Sequence, residues 1–311
     1  MRHAASLALL LAGLAAGASG QPLPSRPVFS AGLDAINVTV AVRDDRGRLV
    51  SDLKRHDFVV REDGRPQEVQ LFARAFEPGQ DETLALDLGL LFDTSDSMLT
   101  ELRLSQEAAV RFLDAIPRAR ELFTIFFAHD IHLSRYDSEN QQGLIERIVD
   151  AKGGGNTALY DAIATYLSRV QDNSGRKVLV LFTDGEDSDS RLTVSEVLTL
   201  VRSSSVTVYA IAFSGGFPAG SSRGIRPLAF LRELAEMTGG QVFRPATSKD
   251  LPQIYEKILD ELQAQYVLGF ASDRPLGDGR FRKLKVEVKG QGLKVRHRAG
   301  YYPPRLAPTS D

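Results

Sequence analysis

The chain has no cysteine, which excludes both a disulfide framework and a lipid anchored through a thiol. At 311 residues it can bury a substantial core without such staples. Charge of one sign is also lacking. The 38 Lys and Arg nearly balance the 40 Asp and Glu, leaving a formal net charge of −2. No global field therefore points to nucleic acid or an anionic membrane. Long apolar runs are confined to the start of the chain. Met1-Arg2-His3 supplies a positive region, residues 4–18 a short Leu/Ala stretch, and Ala18-Ser19-Gly20 a small-residue end. Residues 1–20 therefore read as a secretory signal peptide. An uncleaved anchor is the alternative, although the stretch is short for a span. The mature protein is expected to be secreted or periplasmic, with no membrane span after cleavage.

Catalytic constellations are equally scarce. Gly220-Ser221-Ser222-Arg223-Gly224 fits G-x-S-x-G, but a long Gly/Pro/Ser loop surrounds it where a nucleophile elbow needs a sharp strand-to-helix turn. Lys152 precedes Gly153-Gly154-Gly155, so the order of a P-loop is absent. His129-Asp130-Ile131-His132 reads more simply as a polar turn after a strand than as a metal pair. No nucleophile, base and oxyanion donor assemble. The protein is expected not to be an enzyme.

What is present is organised in blocks. After a Pro-rich linker, residues 30–76 alternate apolar and polar side chains, as in Ile36, Val38, Val40 and Val42, with Asp/Gly turns between runs. Short antiparallel strands are the reading. From 82 to 264 the pattern becomes α/β. Apolar strands are expected at 84–92, 121–128, 177–183, 206–213 and 241–244. Amphipathic helices are expected at 98–116, 139–151, 157–171, 193–204, 227–238 and 249–264. This predicts a doubly wound, mostly parallel sheet covered on both faces, with ligands at the carboxyl ends of its strands. Strands return over 265–303, where Gly290-Gln291-Gly292 reads as a hairpin turn. Neither β segment can bury a sheet face alone, so the two are expected to form one accessory β-sandwich around the inserted α/β domain. Residues 304–311 read as a disordered tail.

Asp93-Thr94-Ser95-Asp96-Ser97 ends the first α/β strand with a fan of hard oxygen atoms. Such donors suit Mg²⁺, Mn²⁺ or Ca²⁺. Gly153-Gly154-Gly155-Asn156-Thr157 adds a hydroxyl before a helical pattern, and Thr183-Asp184-Gly185 ends another buried strand with a carboxylate. An ordinary strand-to-helix turn with Ser/Asp capping is the plain alternative for the first motif alone.

Taken together, the three pieces resemble the von Willebrand factor A family, whose metal-ion-dependent adhesion site reads D-x-S-x-S, then T, then D. The resemblance covers roughly residues 84–264. It implies that Ser95, Ser97 and Thr157 hold a divalent cation directly, Mg²⁺ first among the choices, while Asp93 and Asp184 often act through water. It also implies that an acidic residue of a protein partner completes the shell, making an adhesion-type module. Bacterial secreted members often carry flanking β regions. Two other readings stay open: a structural envelope component that the metal only stabilises, and a metal-assisted hydrolase.

Several neighbouring residues carry two readings each. Asp96 stands where the family often has glycine; it is either a helix N-terminal carboxylate or an extra negative charge beside the ion. The acidic run from Asp184 to Asp189 is either a solvated rim or a second cation site or collar. Lys283, Lys285, Lys289, Lys294, Arg296 and Arg298 read as a solvated basic face that blunts a sheet edge, with an anionic polymer as the alternative ligand. Asn37-Val38-Thr39 fits a glycosylation sequon within a strand pattern.

Overall fold

A computed structural model describes residues 35–76, 85–116, 119–137, 140–170, 175–213, 225–274 and 278–303. The signal peptide, the G-x-S-x-G segment and the terminal tail lie outside the described residues. Among those described, no helix is long and apolar enough to cross a membrane.

The central sheet has six strands in the order β10-β9-β8-β5-β6-β7. They are β5 (Leu86–Asp93), β6 (Glu121–Phe127), β7 (Ile131–Asp137), β8 (Arg176–Thr183), β9 (Val206–Ala212) and β10 (Gln241–Phe243). All neighbouring pairs are parallel except β6 with β7. Every residue of β5, β8 and β9 is buried, as continuous apolar runs between two helical layers require. One face packs α1 (Leu99–Ala115), α2 (Gln141–Asp150) and α6 (Leu251–Ala264) through residues such as Phe112, Ile148 and Ile258. The other packs α3 (Leu159–Arg169), α4 (Val194–Ser203) and α5 (Ile225–Thr238) through Ile163, Val197 and Leu231. Thr193 caps α4 in a reciprocal box with Glu196, as its sequence predicts. Gly89 is demanded by packing, because a Cβ there would lie 2.3 Å from the buried Tyr166 ring.

Strand β7 corrects the sequence reading. The chain turns at 128–130 and then runs antiparallel along β6, where only a polar turn was expected. It is an edge strand whose apolar side chains Ile131, Leu133 and Tyr136 are only half-buried, so its pattern is too polar to stand out.

The flanking segments form two further four-stranded sheets, β13-β1-β11-β4 and β14-β12-β2-β3. Their strands are β1 (Ala35–Arg43), β2 (Phe58–Glu62), β3 (Arg65–Gln67), β4 (Leu71–Arg74), β11 (Tyr266–Ala271), β12 (Arg282–Val288), β13 (Lys294–His297) and β14 (Gly300–Tyr301). Both sheets contribute to one core that includes Val38, Val40, Phe58, Val60, Tyr266, Phe270 and Val286. The accessory sandwich is therefore built from both ends of the chain, with β1 antiparallel to β11 and β2 to β12. The α/β domain is inserted between β4 and β11, and the two junctions touch through Ala75 N–H donating to Gln265 O at 2.8 Å.

The expected hairpin at Gly290-Gln291-Gly292 does not form. Strand β12 pairs with β2 and β14, whereas β13 crosses to the other sheet and pairs with β1. Both sides of β12 are already engaged, and β1 offers an open edge. The basic face also divides. Lys283, Lys285, Lys289 and Lys294 are exposed. Arg296 instead turns inward, donating to Gly239 O at 3.1 Å and pairing with Glu261; Arg298 donates to Ser204 O at 2.8 Å. Both tie the sandwich to the α/β domain, since buried backbone carbonyls and a buried carboxylate need donors that the sandwich supplies.

Candidate metal centre

Three loops converge at the carboxyl ends of β5 and β8. The first leaves β5 at Asp93, which is fully buried. Asp93 Oδ1 accepts from Ser95 N–H at 3.0 Å and from Ser95 Oγ at 2.6 Å. Its Oδ2 accepts from Thr183 Oγ1 at 2.6 Å. Ser95 and Ser97 place their hydroxyl oxygens 3.2 Å apart, with Ser95 buried and Ser97 exposed. The fan thus faces solvent on one side.

The second loop carries the three glycines across the first. Gly154 N–H donates to Thr94 O at 2.7 Å, while Asp96 and Gly155 exchange two bonds of 2.9 and 3.1 Å. A Cβ at Gly153 would sit 2.3 Å from Thr94 O, so only glycine lets the loops approach. Asp96 is therefore a tether for the glycine loop, a role neither sequence reading contained.

The third loop follows β8. Thr157, which is buried and lies just before α3, donates from N–H to Ser188 Oγ at 3.0 Å. Its carbonyl accepts from Ser188 and Asp189 N–H at 2.9 and 3.0 Å. Asp187 accepts from Tyr160 N–H and Ser190 Oγ, and Asp161 accepts from Arg191 and Leu192 N–H. The acidic run is thus a strap around the start of α3, with the Asp187 carboxylate spent on a backbone and a hydroxyl donor. Asp189 also contacts the His129 imidazole. That hydrogen bond, with the charges of Asp189 and Asp130, raises the pKa of the exposed His129.

Asp93, Ser95 and Ser97 touch directly, and Asp184 lies close enough for its charge to act on Asp93. Thr157 is fixed to the third loop through Ser188 and Asp189. Burial, opposed by the Ser95 and Thr183 hydrogen bonds and reinforced by Asp184, pushes Asp93 up to about 6. Asp184 accepts from Glu186 N–H through Oδ1, but its Oδ2 is buried with no hydrogen-bond partner. Among the described residues, neither carboxylate pairs with a Lys, Arg or His side chain, and no three carboxylates, imidazoles or thiols converge as a metal cluster. Two buried carboxylates, one with an orphaned oxygen, beside hydroxyl donors fit a hard divalent cation. Thr183 and Ser188 were missed as supports; the Thr-Asp-Gly and Asp-Ser-Asp runs contain them, but only the fold aims them at Asp93 and Thr157.

The family model for the von Willebrand factor type A domain matches residues 87–257. The chain belongs to that family. The VWA domain spans β5 to α6. A UPF0353 protein of Nocardia farcinica (strain IFM 10152) is 21% identical over 217 residues, covering 61% of this chain and 65% of that protein, under two thirds of its length. A von Willebrand factor type A structure from Catenulispora acidiphila is 12% identical with a TM-score of 0.49, over 86% of this chain and 73% of that one. Proximal thread matrix protein 1 of the mussel byssus, described with a zinc-occupied MIDAS motif, is 17% identical with a TM-score of 0.49, over 66% of this chain and 50% of that one.

Proposed function

We propose that this VWA protein is an exported, non-enzymatic binding module. Asp93, Ser95, Ser97, Thr157 and Asp184 would hold a divalent cation, Mg²⁺ before Mn²⁺ or Ca²⁺. An acidic side chain of a protein partner would complete its shell. The observation that carries this reading is the buried, unpartnered Oδ2 of Asp184 beside a second buried carboxylate. When bound, the cation supplies charge compensation and an open coordination position. Ser95 orients Asp93, Thr183 braces it from below, and the exposed Ser97 leaves one approach open. His129 is no free base, because Asp189 favours its protonated form.

A second reading is structural, with the cation only stitching loops 93–97, 153–157 and 184–189 together. The exposed carboxylate of Asp96, between Ser95 and Ser97, favours it, since it repels an acidic ligand. Thermal unfolding of the chain from Gln21 with excess Mg²⁺, Mn²⁺ or Ca²⁺, and with chelator, tests the site. At about a hundred times its dissociation constant a cation adds roughly 2.7 kcal/mol. The shift is expected in wild type and lost in Asp93→Ala and Asp184→Ala. Its absence with every ion would overturn the metal reading. Partner capture that survives chelation would favour the structural one.

A further inference from the structure

The metal centre occupies the carboxyl ends of the central strands. Near the amino ends of β9 and β10, a cavity of about 390 Å³ opens where α4 and α5 end against the last strands of the sandwich. Its size suits a small ligand. Val201, Val206, Met237, Phe281 and Ala299 supply apolar lining, and Arg298 supplies the charge.

Arg298 is incompletely used. Its Nε donates to Gly300 O at 2.7 Å and its Nη2 to Ser204 O at 2.8 Å, both neutral carbonyls. Among the described residues no carboxylate pairs with it, neither of these bonds uses Nη1, and the guanidinium lies 5.9 Å from the centre of the Tyr301 ring. The other charges at the rim behave differently. Arg202 and Glu233 neutralise each other at 3.4 Å, and Glu236 stands exposed. A guanidinium held in place by two carbonyls and keeping its charge without a carboxylate, at the wall of a cavity with apolar lining, matches one carboxylate and one apolar side chain. A phosphate fits poorly, because a single guanidinium would face a multiply charged anion beside two glutamates.

We propose that this cavity binds an α-carboxylate bearing an apolar side chain, with Arg298 taking the carboxylate and Val201, Val206, Met237 and Phe281 the side chain. The C-terminus of a peptide and a free amino acid share this chemistry. Glu236, which also lines the cavity, is the group that would meet the ammonium of the second.

The test is a titration of the isotope-labelled chain from Gln21, followed by NMR at the Met237 methyl and the Arg298 Nε–H. Chelator is present throughout, so the metal centre contributes nothing. The probes are leucine, N-acetyl-leucine, the tripeptide Ac-Ala-Ala-Leu and leucinamide. Both reporters should move saturably with the acids and not with leucinamide. Ala299→Phe, which fills the cavity without touching the arginine clamp, should abolish the response. Arg298→Gln should weaken it about tenfold or more, roughly the value of one charge-assisted bond. Ac-Ala-Ala-Leu binding at least as well as leucine identifies a peptide terminus; leucine binding alone identifies the free amino acid. No saturable shift with any acid, an equal response to leucinamide, or a response that persists in Ala299→Phe would overturn the proposal.

Discussion

A carboxylate taken out of water needs donors or a counter-charge, and Asp93 and Asp184 are provided for unequally. Asp93 receives three hydrogen bonds, whereas one oxygen of Asp184 receives none. Asp184→Asn removes the buried formal charge and should therefore leave the cation-free protein at least as stable as wild type. The same change should remove the stabilisation by divalent ions. Urea unfolding with chelator and with Mg²⁺ checks both halves. His297 is a second residue whose surroundings decide its protonation. Its Nε2 accepts from Val286 N–H at 3.0 Å and its Nδ1 faces Arg298 O at 2.7 Å, so the neutral ring satisfies both. Burial holds its pKa below the ordinary 6.5. The folded protein thus resists the proton that the unfolded chain accepts. This contribution to stability is complete above pH 6.5 and is lost as pH falls below it. Asp93 and His129, whose pKa values are raised, act in the opposite direction, so the test is the difference: the denaturant midpoint of wild type minus that of His297→Gln should fall as pH is lowered from 7.5. That Asp93, Ser95 and Ser97 cluster at a strand end was legible in the sequence because hydroxyls beside a carboxylate there are chemically conspicuous. Thr183, Ser188 and the tether role of Asp96 were not, because a supporting hydrogen bond depends on which loop lies opposite.

At the scale of elements, continuous apolar strands and helix caps made β5, β8, β9 and the six helices readable to within a few residues. Strand β7 escaped because an edge strand need bury only part of one face. The crossing of β13 to the other sheet escaped because turn residues fix a reversal of direction but not the partner strand. The glycine loop is held to the first motif by Asp96 and by the close approach at Gly153. Asp96→Asn keeps an acceptor for Gly155 N–H, while Asp96→Ala removes it. If the tether matters, Asp96→Ala should weaken cation binding about tenfold, the worth of one lost bond, and Asp96→Asn should leave it near wild type. Isothermal titration with Mn²⁺ distinguishes this from a charge effect, which would weaken both variants alike.

At the scale of the molecule, Glu261 of α6 joins the two parts. It is buried, accepts from Tyr209 Oη at 2.6 Å, and pairs with Arg43 at 2.8 Å and with Arg296. Glu261→Ala leaves two guanidinia and a phenol without their shared acceptor. The expected cost is about 3 kcal/mol, the low end for breaking a buried pair because both arginines keep some exposure. Chemical unfolding followed by far-ultraviolet circular dichroism would measure it. The inserted arrangement of the α/β domain was legible because each β segment was too small to fold alone, whereas the polar seam between the parts was not. That arrangement also sets a timetable for biosynthesis. Glu62 and Arg282 meet across 220 residues of sequence, so β2 leaves the ribosome long before β12 exists. Folding of the inserted domain brings its ends within one hydrogen bond, Ala75 to Gln265, and turns a long loop closure into a short one. The sandwich is then the last part to close, and until it does, the nascent amino-terminal strands have open edges that need shielding from other chains.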